Sequence, residues 1–268
     1  MNPINPANKI LSFDMDNTLV DDRVSQIPSS ALEAIDQVRG RATIILSTGR
    51  DLTLEATRSH LRLLRPDGAV HAGGAMVDLN GQRLFRHLFD PALVKRIVDF
   101  GLAHNLCICG LVDDIQYTTR RDKLEPIKDV LTGEKEIIWG DARLLPGRPV
   151  MSLGLCGEEW EADILRREFP QLRIPTVIPG IWCDITEPQV TKLHGMEILL
   201  RELGADMEDV IAFGDSMNDY ELLEAAGYAI AMGNADERLK KIADHVTSDI
   251  DRDGISNAIH YLIEKGIL

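Results

Sequence analysis

Acidic side chains follow two apolar segments that lie far apart in the chain. Asp14 and Asp16 come directly after KILSF, and Asp215 and Asp219 come after VIAF. A carboxylate can act as a nucleophile, as a general acid or base, or as a ligand of a hard metal ion. Carboxylates about 4 Å apart repel each other by roughly 4 kcal/mol per pair at an effective dielectric constant of about 20. Such a group needs a cation, and all-oxygen ligands indicate Mg²⁺ rather than zinc.

A third polar cluster and a separate lysine supply groups that bind phosphate. Thr48 and Gly49 follow the apolar segment TIIL, and the hydroxyl and nearby backbone N–H groups can donate to phosphate oxygens. Lys192 begins a predicted helix and offers a positive charge to the same oxygens. Each residue alone has a simpler explanation as a turn, a helix cap or a solvated lysine. Three clusters at strand ends favour one shared site, near which Arg50 is expected to form an ion pair.

Apolar segments separated by amphipathic helices must position these residues. KILSF, ATIIL, GAVHA, DVIAF and YAIAM are predicted strands. Continuous apolar strands of this kind are typical of a parallel sheet that helices cover on both faces. Ligands bind at the carboxyl edge of such a sheet, so the three polar clusters are expected to meet there. The sequence therefore predicts an α/β fold with a Rossmann-like, doubly wound parallel sheet.

The middle of the chain interrupts this pattern. An Asn-Gly pair at residues 80–81 lies between two short apolar runs and predicts a hairpin. The segments that follow are strands expected to pair with their sequence neighbours, with helices between them, which favours a separate α+β domain. We therefore predict a discontinuous core domain of residues 1–81 and 185–268, with an inserted domain of residues 82–184.

Composition argues against several classes of protein. The chain of 268 residues is 44% hydrophobic and carries a net charge of −14, which disfavours binding to nucleic acid or to a membrane surface. No apolar run is long enough to span a bilayer, and the first residues lack the pattern of a signal peptide. The four cysteines could form a zinc site or a disulfide, but buried free thiols are favoured. We expect a cytoplasmic protein that is a monomer or a small homo-oligomer.

Four motifs occur together and in order. DMDNT, STGR, Lys192 and GDSMND resemble the motifs of the haloacid dehalogenase (HAD) superfamily of phosphatases. The segment from GYAIAMGNADERLKKIADHVT to DRDG resembles the Cof-type, subclass IIB branch. In that branch a large cap domain is inserted between the second and third motifs, which matches the predicted insertion.

The resemblance implies a role for each motif residue. Asp14 would be the nucleophile that forms an aspartyl-phosphate, and Asp16 would be the general acid and then the general base. The implied Mg²⁺ ligands are Asp14, the backbone carbonyl of Asp16, and Asp215, with Asp219 as a ligand or an outer partner. The residues implied to hold or orient the phosphoryl group are Thr48, Gly49, Lys192 and Asn218.

These residues predict a Mg²⁺-dependent phosphatase that hydrolyses a small phosphorylated metabolite. A phosphotransferase or phosphomutase with the same aspartyl-phosphate chemistry is an alternative, because only the access of water differs. A non-catalytic binding module on an inactive core is disfavoured, because every reactive position is intact.

Two positions depart from the usual pattern of the family. Gly73 replaces the asparagine of a common Asn-Gly-Ala segment, so a side chain near the site is missing. Ile250 stands where another asparagine is usual, so any polar contact of that side chain is lost.

Overall fold

The structure is a computed structural model that describes residues 9–21, 23–53, 57–128, 137–178 and 180–268. The chain divides into two units. The first consists of residues 1–86 and 191–268, and the second of residues 87–190. Each unit is described separately below.

Strands and helices alternate along much of the described chain. The strands are β1 (Lys9–Phe13), β2 (Ala42–Ser47), β3 (Gly68–His71), β4 (Met76–Leu79), β5 (Gln82–Arg86), β6 (Cys107–Val112), β7 (Ile115–Thr118), β8 (Ile138–Asp141), β9 (Leu153–Cys156), β10 (Thr176–Ile178), β11 (Trp182–Ile185), β12 (Val210–Gly214), β13 (Tyr228–Ala231) and β14 (His245–Val246). The helices are α1 (Ser29–Val38), α2 (Arg58–Leu64), α3 (Pro91–Ala103), α4 (Arg121–Leu124), α5 (Glu159–Glu168), α6 (Lys192–Leu203), α7 (Tyr220–Ala225), α8 (Glu237–Ile242) and α9 (Gly254–Glu264).

The first unit contains a sheet in the order β14-β13-β12-β1-β2-β3-β4-β5. The strands from β14 to β3 run parallel, as the sequence predicts, and β4 and β5 form the predicted antiparallel hairpin. The central strands β1, β2 and β12 are buried almost throughout, because their side chains are apolar on both faces. The predicted α/β fold with a Rossmann-like core is confirmed.

The register of the central strands decides what meets at the carboxyl edge. Phe13 at the end of β1 pairs with Phe213 of β12 on one side and with Leu46 of β2 on the other. The rings of Phe13 and Phe213 stack with their centroids 4.5 Å apart. Consequently, the segments that follow β1, β2 and β12 leave the sheet side by side.

The second unit has a sheet in the order β10-β11-β9-β6-β7-β8, which is antiparallel except for the β7–β8 pair. It has its own apolar core, and α3 and α5 contribute buried residues to it. An inserted α+β unit was expected here. Residues 120–149 have no clear period in the sequence, yet they contain α4 and β8, and residues 129–136 lie outside the described part. All four cysteines are free and buried, in agreement with the favoured prediction.

The structure also bears on membrane insertion. Within the described ranges, no helix combines the length and the apolar character that a bilayer span requires.

Candidate active site

Asp14 and Asp16 leave the end of β1 in different environments. Asp14 is only 4% exposed, and its backbone N–H donates to the carbonyl of Phe213 (3.0 Å). Asp16 is half-buried and forms an ion pair with Arg50, whose Nε donates to Oδ2 over 3.1 Å. The expected ion pair of Arg50 is therefore with the predicted general acid.

The segment after β12 brings two more carboxylates to the same edge. Asp219 is 1% exposed, and its Oδ2 accepts from the backbone N–H groups of Asp215 (3.2 Å) and Ser216 (3.3 Å). This fold-back requires a glycine at position 214, because a Cβ there would lie 2.6 Å from Cγ of Asp219. Thr18, four residues after Asp14, donates to Oδ1 of Asp215 over 3.3 Å.

Lys192 connects the two acidic segments. It is the first residue of α6 and is 3% exposed. Its Nζ lies 2.6 Å from Oδ1 of Asp14 and 2.6 Å from Oδ1 of Asp219, and it donates to Oδ1 of Asn218 over 3.2 Å. Thr191 caps the helix by accepting from the N–H of His194 (3.0 Å), which fixes the position from which Lys192 extends.

The carboxylates outnumber the positive charge. One oxygen from each of Asp14, Asp215 and Asp219 lies within 4.8 Å of the others. Burial, and then the charge of Asp219, raise the pKa of Asp14 well above its ordinary value. The same two causes raise the pKa of Asp215 to about 7. Burial alone would lower the pKa of Lys192, but Asp14 and Asp219 outweigh burial and hold it above its ordinary value.

This excess of negative charge fits a bound cation. The cluster offers oxygen atoms alone, and hard ions such as Mg²⁺ and Ca²⁺ prefer oxygen ligands. Of the four predicted metal ligands, the structure groups the carboxylates of Asp14, Asp215 and Asp219. The carboxylate of Asp16 is held by Arg50, and the role implied for that residue is through its backbone carbonyl.

The predicted phosphate-binding segment follows β2. Thr48 is fully buried, and its Oγ1 accepts from the backbone N–H of Arg50 over 3.0 Å. Gly49 lies beside Asn218, since a Cβ on Gly49 would be 3.8 Å from Nδ2 of that residue. Asn218 thus lies beside Gly49 and also accepts a hydrogen bond from Lys192.

The predicted site residues are therefore joined by contacts within the first unit. Sequence reasoning missed Thr18, although its place within DMDNT was a signal. It also did not identify the partner of Arg50, because a pairing over 34 positions is a tertiary contact. The catalytic and ligand roles stay predictions.

The structure shows the contacts of the two residues that depart from the family pattern, Gly73 and Ile250. The N–H of Gly73 donates to the carbonyl of Thr48 (3.1 Å), and a Cβ on Gly73 would meet nothing within 4 Å. Ile250 is buried, and its N–H donates to Oδ1 of Asn234 over 2.9 Å.

Fold and site together define a class of protein, one with a parallel α/β core and an acidic site at the carboxyl ends of its strands. A family model of haloacid dehalogenase-like hydrolases matches residues 11–259. The chain belongs to this family.

Individual relatives agree with this assignment. A phosphoglycolate phosphatase of Methanothermobacter thermautotrophicus is 41% identical over 78% of this chain and 90% of that protein. A 5-amino-6-(5-phospho-D-ribitylamino)uracil phosphatase of Bacillus subtilis is 25% identical over 92% of this chain and 94% of that protein. A solved sugar phosphatase of HAD subclass IIB is 26% identical with a TM-score of 0.85, covering 97% of this chain and 100% of the other. The chain is a HAD-superfamily phosphatase, a phosphoric monoester hydrolase.

Proposed function

We propose that the protein is a Mg²⁺-dependent phosphatase that hydrolyses a small phosphomonoester through an aspartyl-phosphate on Asp14. The observation that carries the proposal is the position of Lys192, whose Nζ contacts the carboxylates of Asp14 and Asp219 at 2.6 Å each. An anionic nucleophile cannot approach an anionic phosphate unless positive charge stabilises the transition state. Lys192 supplies one such charge at the nucleophile itself.

The first chemical step would use both aspartates after β1. An oxygen of Asp14 attacks phosphorus, a new O–P bond forms, and the bond to the leaving oxygen breaks. Asp16 gives its proton to that leaving oxygen. Because Arg50 pairs with the ionised carboxylate of Asp16 in the structure, the proposal requires Asp16 to leave Arg50 and take up a proton from solvent before it acts as the acid. Thr48 and Lys192 would hold the phosphoryl oxygens during the transfer.

The second step would restore the enzyme. Asp16, now ionised, takes a proton from water, and the water oxygen attacks phosphorus. The bond to Asp14 breaks and inorganic phosphate leaves. The residues that would hold Mg²⁺ are Asp14, the carbonyl of Asp16 and Asp215, with Asp219 as a ligand or an outer partner. The bound ion would supply charge stabilisation of the phosphoryl oxygens.

The test is steady-state release of phosphate from p-nitrophenyl phosphate with Mg²⁺. We expect Asp14→Asn to lower kcat by about a thousandfold or more, because the nucleophile is lost. Asp36→Asn makes the same chemical change at an exposed carboxylate that pairs with Arg39 and Arg65, and it should leave kcat unchanged. Removal of metal with EDTA should abolish turnover, and added Mg²⁺ should restore it. Equal rates for the wild type and Asp14→Asn would overturn the proposal.

For the substrate we propose a small phosphorylated metabolite, and phosphoglycolate is the first compound to assay. The identity of 41% to a phosphoglycolate phosphatase supports this choice. A panel of sugar phosphates and phosphoglycolate, compared by kcat/KM, would rank the candidates. Transfer of the phosphoryl group to an added sugar hydroxyl in preference to water would instead favour the phosphotransferase alternative.

We also propose a cytoplasmic location and a monomer or small homo-oligomer. The free state of all four cysteines supports a reducing compartment.

A further inference from the structure

His71, the last residue of β3, is fully buried and uses both ring nitrogens. Its Nε2 lies 3.0 Å from Oδ2 of Asp78 on the adjacent strand β4. On the other side of the ring, the backbone N–H of Leu52 donates to Nδ1 over 3.2 Å. Because the ring is buried and each nitrogen has a partner, the orientation of the ring is fixed.

The partners also determine which nitrogen carries the proton. An ionised carboxylate can only accept hydrogen bonds, so Nε2 carries the hydrogen and donates the hydrogen bond to Asp78. The lone pair of Nδ1 is then free to accept the hydrogen bond from Leu52. Arg83 donates from Nη2 to Oδ2 of Asp78 over 3.1 Å and holds the carboxylate in place. The carboxylate of Asp51 lies 3.8 Å from Nδ1, but its Oδ1 already accepts from the N–H and the hydroxyl of Thr53.

The contact to Leu52 is the last of a series that joins residues 48–52 to residues 70–73. The backbone bonds of the series are Thr48 N to Val70 O (2.9 Å), Gly73 N to Thr48 O (3.1 Å) and Ala72 N to Arg50 O (2.8 Å). After His71 the backbone leaves the extended conformation, because Ala72 has φ of +51°. The backbone therefore turns away, and the side chain of His71 supplies the next acceptor.

We propose that His71 is a positioning residue for the segment that carries Thr48 and Arg50. It acts through Leu52 and holds the far end of that segment, while the backbone bonds hold the near end. The inference rests on the proposed function, in which Thr48 binds the phosphoryl group and Arg50 releases Asp16. Asp78 takes part by keeping the proton of His71 on Nε2.

The test compares two substitutions of His71 that have nearly the same shape but differ in polarity at the two δ atoms. His71→Asn keeps an acceptor, because Oδ1 of asparagine lies about where Nδ1 lies in histidine, whereas His71→Leu fills the space without any acceptor. Misplacement of catalytic groups by about 1 Å can cost on the order of 100-fold in rate. We expect His71→Leu to lower kcat/KM for p-nitrophenyl phosphate by about 10- to 100-fold and to weaken inhibition by inorganic phosphate.

His71→Asn should recover most of both losses. A role in packing alone predicts the opposite order, since leucine fills an apolar space better than asparagine does. Equal kcat/KM and equal phosphate inhibition in the two variants would overturn the proposal. The Asp14→Asn variant in the same assay separates the two hypotheses: if it is as active as the wild type, the proposed function fails, whatever the His71 variants do.

A spectroscopic measurement on the wild type does not depend on the folding of any variant. In ¹⁵N-labelled wild-type protein, Nε2 of His71 should carry a proton, and Nδ1 should accept a hydrogen bond from the Leu52 amide. In Asp78→Asn, the side-chain amide can donate to Nε2, so a population with the proton on Nδ1 and a shifted Leu52 amide signal is expected. A proton on Nδ1 of His71 in the wild type would contradict the proposal.

Discussion

Oδ1 of Asp14 and Nζ of Lys192 lie 2.6 Å apart where both side chains are almost fully buried. A buried ion pair of this kind adds little net stability, because both charges lose their hydration. Here one lysine faces three carboxylates, so the pair does not neutralise the site. The site therefore carries an excess of negative charge at the position where the proposed chemistry needs a cation and a phosphate.

This charge excess predicts that removal of one carboxylate stabilises the fold. We expect Asp215→Asn, in the absence of metal, to raise the free energy of unfolding by on the order of 2 kcal/mol, since like-charge repulsion is relieved. The variant should also lose most of the rise in Tm that Mg²⁺ gives the wild type. Thermal denaturation of both proteins with and without Mg²⁺ tests this. The control is Asp36→Asn, which should keep the full response to Mg²⁺. A less stable variant that still responds fully to Mg²⁺ would be the contrary result.

Two neighbouring glycines offer a matched pair of substitutions. Gly74 has φ of +104°, and a Cβ there would lie 2.1 Å from the carbonyl oxygen of Thr191, the cap of α6. Gly73 has φ of +66°, and a Cβ on Gly73 would meet no atom within 4 Å. We expect Gly74→Ala to destabilise by about 2–4 kcal/mol and to lower kcat, because it displaces Thr191 and the adjacent Lys192.

Gly73→Ala should cost only about 1 kcal/mol, the usual penalty for a left-handed backbone. Urea unfolding and steady-state kinetics of the two variants measure both effects. Similar losses of stability and of kcat in the two variants would contradict the prediction that the overlap with Thr191 displaces Lys192.

At the scale of elements, β3 and β4 are joined by side chains as well as by the backbone. Burial alone would raise the pKa of Asp78, but hydrogen bonds from His71 and Arg83 outweigh burial and lower it to about 2. A carboxyl whose pKa is lower in the folded than in the unfolded chain stabilises the fold above its unfolded pKa. That stabilisation is lost as the pH falls toward the folded pKa.

We therefore expect Asp78→Asn to lower the free energy of unfolding at neutral pH by about 2 kcal/mol. The difference from the wild type should shrink between about pH 4 and pH 2, because the wild-type carboxyl becomes protonated there. Denaturant unfolding of both proteins across this range is the measurement. A difference that does not change with pH would indicate that the charge of Asp78 is not the cause.

At the scale of the whole molecule, each unit has its own apolar core. One core is built from β1, β2 and β12 with the helices of the first unit, and the other from residues between Phe89 and Ile185. Units with separate cores unfold in separable steps more often than single domains do. We expect calorimetry to show a total enthalpy larger than the van't Hoff enthalpy of the main transition.

Mg²⁺ should raise the Tm of the transition that belongs to the first unit, which contains the acidic cluster. At 100 times its dissociation constant, a ligand of the folded state adds about 2.7 kcal/mol. Asp215→Asn should lose most of this rise in Tm. A single transition whose calorimetric enthalpy equals its van't Hoff enthalpy would contradict the prediction of separable units.

Much of the fold was predictable from local patterns. β1, β2 and β12 are short apolar runs that end in polar clusters, and the hairpin of β4 and β5 follows from the Asn-Gly pair. β8 was not predictable, because its parallel pairing with β7 depends on a partner and not on a period of its own. The same limit applied to the pairing of Arg50 with Asp16.

The amino-acid sequence by itself determined the α/β core and the family, and it predicted which acidic residues and which lysine meet at the end of the sheet. Periodicity, motif order and the carboxyl-edge rule are local or topological, so they can be derived from the order of residues alone. Only the tertiary structure decided that Lys192 lies between Asp14 and Asp219, that Arg50 holds Asp16, and that His71 reaches Leu52. These contacts depend on distances of a few ångströms between segments that are 19 to 178 positions apart, and strand register and side-chain packing set those distances.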